Sequence, residues 1–577
     1  MKFSRVAVIL SLWLVDSISA TSKPQDGTTT CEAAASTQQR VPPMVVAPLL
    51  NSNTKQKNKT SATVANVMGC CASLVDSSTV IGQMPQMTTD EALEVLDIAK
   101  DAWKGGSGTW PQMSLRDRVK AIQTFMTVLQ EQRTAIIEVL MWEIGKNLQD
   151  ATSEFDRTMQ FIQKLIETIH TDPEFNSEWQ SMGGDTTRAF VRRAAIGIIL
   201  CLGPYNYPLN ETYATLIPAL LMGNIVIMKI PTVGGLTHLL TMDAFRQTLP
   251  EGTINFVSGS GRTTMPPLMA SGFIDGLAFI GGSKAADELI RQHPSPHRLK
   301  LFLQLEAKNM GIFLSDIFQD EQLLEAGLNE AISGTTSYNG QRCTALKLLF
   351  VPSNNATTFV SKFVDKIHDL RIGLPWQESK SGLLPHITPL PNQKRVQYMK
   401  ELIEDAISKG AKIMNNNGGD ILGGPDSTLM VPAVLYPVTS AMKVYWEEQF
   451  GPVIPIAPYE TLDTVIQYGR DGTYGQQVSI FTSAAAHVGA TNNNDASLLL
   501  DIFSQVFGKI NINSQCGRSP DNLPFSGRRS SALGVMSISY ALQEFSIPTA
   551  VVYKNVNTNS VVMDTIQASS KFMESLF

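Results

Sequence analysis

The sequence predicts an α/β protein with two open α/β domains around a cleft, and three observations lead there. First, residues 194–204 and 224–231 are continuous apolar runs of buried-strand length, and the segment between them, ETYATLIPALLMG, has a helical period. Strand, helix and strand in succession make a βαβ unit, which implies a parallel sheet. Second, apolar residues recur at three- and four-residue spacing over 88–169, as helices covering one face of that sheet would. Third, KLLFVPS, MVPAVLYPV and VIPIAPY repeat the strand signature in the second half, which also carries Cys343.

Taken in order, Lys2 and Arg5 precede a mostly apolar run over 6–15, followed by Ser17, Ile18, Ser19 and Ala20. These are the charged, apolar and small-residue parts of a secretory signal peptide, expected at 1–20. The run is too short for a stable membrane span. Residues 21–83 are rich in Ser, Thr, Asn and Gln and show no helical or strand period, so a low-complexity linker or second targeting segment is expected. The first α/β domain, 84–303, holds the helices, the βαβ unit and strands at 253–257 and 276–280, and a strand at 311–314 is counted with this half. Gly259 and Gly261 follow a strand, but Thr264 stands where a dinucleotide fingerprint has its third glycine. The second domain is expected over 304–508. Residues 509–577 return to the first domain and end in a tail whose stretch 547–553 is expected to pair with 175–193 of another subunit.

A net charge of -6 on 577 residues argues against nucleic-acid or anionic-membrane partners, which require basic patches. Cys31, Cys70, Cys71, Cys201, Cys343 and Cys516 are scattered without framework spacing, and Cys70 and Cys71 are too close for ordinary disulfide geometry. Reduced thiols are expected, and with neither a CxxC nor an HExxH pattern, no metal site.

Chemistry concentrates in GTTSYNGQRCTA, residues 334–345, where Cys343 is a candidate nucleophile. This segment resembles the catalytic-cysteine motif of the aldehyde dehydrogenase superfamily. GPYNYPLNETYATLIPALLMGNIVIMKIPT at 203–232 and EEQFGPVIPI at 447–456 are similar to two further motifs of that family, in the family's order. The resemblance runs from about Met84 to Lys554 and is closest to the non-phosphorylating, NADP-dependent glyceraldehyde-3-phosphate branch. It implies that 175–193 is an oligomerisation hairpin and that the enzyme is a homodimer or homotetramer.

An aldehyde yields a hydride only after a nucleophile has made its carbon tetrahedral. The resemblance gives that task to Cys343, with Arg342 as the nearest charge to favour the thiolate. Asn206 would hold the oxyanion, a contribution of about 3 to 4 kcal/mol per good donor. The base that activates water for thioester hydrolysis is less direct. The family motif ELGGK has glutamate four residues before lysine, whereas LQLEAKN puts Gln304 there and Glu306 two before Lys308. Glutamine cannot accept a proton from water at neutral pH, so Glu306 is the expected base.

For NADP, Lys229 would reach the adenosine ribose or its phosphate. Thr232 replaces the glutamate that repels a 2'-phosphate in many NAD-preferring members. Glu448 would hold the nicotinamide ribose, Phe450 would pack near the nicotinamide, and Gly281 and Gly282 would form the turn near the pyrophosphate, Gly282 replacing a frequent serine. Arg157, Tyr207, Arg342 and Arg518 match the branch's phosphate grip, which implies a small phosphorylated aldehyde as substrate.

The expected reaction is therefore oxidation of glyceraldehyde 3-phosphate to 3-phosphoglycerate. Rival readings are another anionic aldehyde such as a semialdehyde, acyl transfer to phosphate or coenzyme A, and a catalytically silent binding protein on the same scaffold. A thiol enzyme suits a reducing compartment, so the expected address is an organelle reached by the secretory route, such as a plastid of secondary origin, with the cytoplasm as the alternative.

Overall fold

The computed structural model describes residues 45–46, 64–69, 80–175, 178–483 and 495–576, all within the unit Pro42–Phe577. The signal-peptide reading, and the compartment drawn from it, lies outside the described residues. Part of the segment read as linker does not. Val64–Met68 pairs antiparallel with Val80–Pro85, and Val45–Val46 pairs parallel on its other side. The linker reading is corrected there: strands this short are too brief to display a period.

The apolar runs become a six-stranded sheet in the order Ala532–Leu533, Lys300–Gln304, Gly276–Ile280, Ile198–Leu202, Ile225–Lys229, Ile254–Val257. Every pair is parallel except the first. Ile225–Lys229 is buried at every position because helices cover both faces of a parallel sheet. On one side Phe125 stacks on Phe245 with centroids 4.1 Å apart, and Trp110 Nε1 donates to the Leu220 carbonyl at 3.0 Å. Truncating such a side chain to alanine costs about 3 to 5 kcal/mol.

A seven-stranded sheet forms the second body, in the order Lys412–Ile413, Ala433–Tyr436, Val453–Tyr459, Leu348–Pro352, Met310–Phe313, Gln477–Phe481, Lys509–Ile512. Met310–Phe313 lies between two of its parallel strands, which corrects the assignment of 311–314 to the first half. Four buried residues carry no mark of the sheet they join. Lys509–Ile512 extends this sheet past residue 508, and the chain returns to the first sheet at Ala532–Leu533.

A third sheet pairs Ser546–Lys554 antiparallel with Thr187–Ala195 over its full length, and Thr187–Ala195 with Gln180–Met182. The partner of 547–553 is thus in the same chain, not in another subunit. Ile547 and Val552 on this strand, and Val561 and Val562 on the helix Asn557–Ser569, remain exposed. Among the described residues no helix is long and apolar enough to cross a membrane.

Candidate active site

Four of the five parallel strands of the first sheet lead into one cavity of about 1080 Å3. Ile198–Leu202 leads into the turn 204–207, Ile225–Lys229 into 231–233, Gly276–Ile280 into Gly281 and Gly282, and Lys300–Gln304 ends there itself. Carboxyl ends of strands are where open α/β sheets take ligands. Cys343, Arg342, Glu448 and Phe450 close the cavity from the second body.

The turn carrying Asn206 requires glycine at its start, because a Cβ on Gly203 would lie 1.7 Å from Thr212 Oγ1. The helix Asn210–Leu221 that follows has no side-chain cap of its own. Glu154, from the helix Leu148–Thr171, supplies it: its Oε1 accepts from Leu209 N at 3.0 Å and Asn210 N at 3.3 Å. Its Oε2 pairs with the fully buried Lys146, whose ammonium lies 3.3 Å from the centre of the Tyr207 ring. A desolvated contact of that kind is worth about 2 kcal/mol and fixes the ring. Asn206 Nδ2 then donates to the Gln341 carbonyl at 2.7 Å, and Tyr205 Oη to Gln341 Oε1 at 2.9 Å, so the turn is bonded to the residues just before the nucleophile.

The nucleophile loop is strained. Tyr338, Asn339 and Gly340 have φ of 49°, 56° and 71°, three left-handed residues in succession. Each non-glycine residue there costs of order 1 to 3 kcal/mol and persists only under outside restraint. Tyr338 Oη donates to the Ile144 carbonyl at 2.9 Å. Asn339 exchanges bonds with Thr388 N and O, both 2.9 Å, and Lys347 Nζ donates to the Gly340 carbonyl at 2.9 Å.

Burial pushes the Cys343 thiol up to about 12, with Glu211 and Glu448 adding to the shift and Gln476 and Lys347 opposing it. The expectation that Arg342 favours the thiolate is corrected here. Its Nη2 turns to the carbonyls of Ser333 and Gly334 and to Gln515 Oε1, at 3.2 to 3.3 Å, and the cation that acts on the thiol is the buried Lys347. Alkylation of Cys343 by iodoacetamide should therefore rise about tenfold per pH unit from pH 7 to 9. Peptide mass spectrometry would measure it, and a plateau near neutrality would show an already ionised thiol.

Glu306 and Gln304 both line the cavity. Gln304 is buried, and both polar atoms of its amide lack a hydrogen-bond partner among the described residues. Glu306 Oε2 accepts the Ser283 amide at 2.8 Å, at the start of the helix Ser283–Gln292. A Cβ on Gly282 would come within 3.1 Å of Glu306 Oε1, so the glycine in place of serine makes room for this carboxylate.

Thr232, Gly281, Gly282, Glu448 and Phe450 line the cavity, whereas Lys229 lies outside its wall. Lys229 Nζ is buried and donates to the Ile230 carbonyl at 2.5 Å, and burial alone draws it down to about 8. No carboxylate pairs with it among the described residues, so it suits an anionic ligand. Burial also pushes Glu448 up to about 7, against the pull of Lys347 at 3.7 Å, and Glu448 Oε1 lacks a hydrogen-bond donor. An orphaned acceptor fits ribose hydroxyls. Lys308 Nζ clamps that segment through the carbonyls of Val444 and Glu447, at 2.7 and 2.8 Å. These groups fit a nicotinamide dinucleotide.

Arg157, Tyr207, Arg342 and Arg518 all line the cavity. Arg518 is buried, and its Nη2 has no hydrogen-bond partner among the described residues. Arg395, which the sequence reading missed, also lines the cavity, with its guanidinium carbon 5.6 Å from the centre of the Phe450 ring and 5.8 Å from that of Tyr205. Lys146, Lys347 and Glu211 were missed as well. Only Lys146, followed eight residues later by Glu154 across a helix start, left any sequence signal.

A sequence model of the aldehyde dehydrogenase family matches residues 72–551. The chain is 29% identical over 478 residues to the NADP-dependent glyceraldehyde-3-phosphate dehydrogenase of Streptococcus equinus, covering 82% of this chain and 93% of that protein. It is 25% identical over 466 residues to the 3-sulfolactaldehyde dehydrogenase of Priestia aryabhattai, covering 80% and 89%. Among solved structures, NADP-dependent glyceraldehyde-3-phosphate dehydrogenase from Bacillus halodurans complexed with NADP superposes with a TM-score of 0.73 at 28% identity, covering 86% of this chain and 96% of that one.

Proposed function

The chain belongs to the aldehyde dehydrogenase family and is thereby an oxidoreductase acting on the aldehyde group; from that premise we propose that it oxidises glyceraldehyde 3-phosphate to 3-phosphoglycerate with NADP. The observation that supports this substrate most is Arg518, a buried guanidinium whose Nη2 has no hydrogen-bond partner among the described residues, lining with Arg157 and Arg342 the cavity that holds Cys343.

In this reading Cys343, as thiolate, adds to the aldehyde carbon, and Asn206 Nδ2 holds the oxyanion together with the Cys343 backbone N–H. Asn206 is already turned toward the nucleophile loop through Gln341. NADP, when bound, supplies the hydride acceptor. Lys229 and Thr232 would hold its adenosine end, Glu448 would hold its second ribose, and Phe450 would pack near the nicotinamide. Glu306 takes the proton of the water that splits the Cys343 thioester, leaving the Ser283 amide to do so, since the Gln304 amide has no basic lone pair at neutral pH. The exposed apolar side chains of the third sheet and the last helix support assembly as a homodimer or homotetramer.

A second reading, an aldehyde with a carboxylate tail, is favoured by one observation: Glu211 and Asp521 already pair with Arg518, and Asp521 with Arg157. Steady-state kinetics on glyceraldehyde 3-phosphate and succinate semialdehyde, each with NADP and NAD, separates them. The phosphorylated aldehyde and NADP should each be preferred at least about tenfold in kcat/KM, or roughly 1.4 kcal/mol of transition-state binding. A preference for the semialdehyde refutes the substrate reading, and a preference for NAD refutes the roles of Lys229 and Thr232.

A further inference from the structure

The arginine side of the cavity carries more negative charge than an anion receptor needs. Arg518 Nη1 donates to Glu211 Oε1 at 3.0 Å and to Asn210 Oδ1 at 3.4 Å, and its Nε lies 3.4 Å from Asp521 Oδ1. Arg157 Nη2 reaches the same Asp521 oxygen at 3.5 Å. Two arginines thus share two carboxylates, while Arg342, which lines the same cavity, turns to the Ser333 and Gly334 carbonyls and to Gln515 instead.

The two carboxylates are not equivalent. Asp521 bridges two arginines from the segment that carries Arg518 itself. Glu211, at the start of the helix Asn210–Leu221, pairs with Arg518 and lines the cavity, so a bound tail and Glu211 meet at one guanidinium.

We propose that Glu211 is a positioning residue that tunes the charge selectivity of the tail subsite: its carboxylate competes with the substrate's anionic group for Arg518, so the subsite prefers a doubly charged tail by less than its arginines alone would give. This rests on reading the arginine cluster as the seat of that tail. Removing the charge of Glu211 does not release Arg518, because Asn210, Asp521 and the Phe161 ring, 5.0 Å from the guanidinium carbon, still hold it. Glutamine at 211 also keeps an acceptor oxygen.

The same charge reaches the nucleophile. Glu211 and Glu448 act on the Cys343 thiol as negative groups and Lys347 as the positive one. Without Glu211 the thiol ionises at lower pH.

The full-length enzyme with Glu211→Gln tests this against D-glyceraldehyde, the same carbon skeleton without the phosphate. The ratio of kcat/KM for glyceraldehyde 3-phosphate to that for D-glyceraldehyde should rise at least about fivefold. The pH profile of the single-turnover NADPH burst with D-glyceraldehyde should move to lower pH. Glu211→Asp, which keeps the charge, should restore both toward wild type, and Glu211→Leu should move both in the direction of glutamine. A ratio that falls or stays level in the glutamine and leucine variants overturns the proposal, as does an aspartate variant that behaves like glutamine. If phosphate is ignored by all variants but Glu211→Gln raises succinate semialdehyde relative to butyraldehyde, the phosphate reading fails while the role of Glu211 stands.

Discussion

Cys343→Ala should lower kcat by about four orders of magnitude or more, the scale of loss when a covalent nucleophile is removed. An aldehyde carbon has no leaving hydride until a nucleophile has added to it, and among the described residues Cys343 is the one free thiol that both lines the cavity and keeps part of its surface open. The variant should nonetheless fold. The backbone bonds that hold the loop come from Tyr338, Asn339 and Lys347 and do not involve the sulfur. Thermal unfolding and NADP binding by calorimetry should match wild type, while NADPH production disappears. Persistent turnover in a preparation shown by mass spectrometry to lack wild-type protein would remove Cys343 from the nucleophile role.

Glu306→Gln should separate the two halves of the reaction. Formation of the thioester does not use the hydrolytic base, so a stoichiometric burst of NADPH should remain; hydrolysis needs the base, so steady-state turnover should fall about 10² to 10⁴-fold. Intact-mass measurement after mixing with substrate should find the acyl group on Cys343, and Gln304→Ala should leave no such trapped species. Two further effects accompany the change. The Ser283 amide keeps an acceptor in glutamine, so the helix Ser283–Gln292 retains its contact. The room left by Gly282 also remains. Normal turnover without acyl-enzyme would mean that another group activates the water.

What the sequence could disclose was whatever depends on residue type within a short string. Cys343, Asn206 and the glycine turn at Gly281 and Gly282 were legible because their chemistry is local, and the apolar runs disclosed most of the parallel strands because a strand buried on both faces needs no partner to be recognised. Directions and sheet membership were not legible. Nothing in GQRCTA says that the Arg342 guanidinium turns back onto Ser333 and Gly334, since a long side chain can take either course. The thiol's charge environment comes from Glu211 and Glu448, both distant in sequence, the first brought close only when the two bodies meet and the second by the folding of the body that carries Cys343. Lys347 was equally hidden, since a lysine within an apolar run looks like a strand-end charge until Gly340, Gln449 and Glu448 surround it. Likewise Met310–Phe313 and Ser546–Lys554 announced themselves as strands but not where they pair.

The left-handed run at Tyr338, Asn339 and Gly340 has a consequence for the order in which the molecule becomes an enzyme. Its restraints arrive from three separate places: Ile144 at the end of a helix of the first body, Thr388 in a long connection of the second, and Lys347 at the foot of a strand. No one of them outweighs the conformational cost alone. A chain in which the second body has formed without the first keeps the Thr388 and Lys347 bonds but lacks the Ile144 anchor and the Asn206 turn that bonds to Gln341. Catalytic competence therefore belongs to the docked pair of bodies and to neither alone.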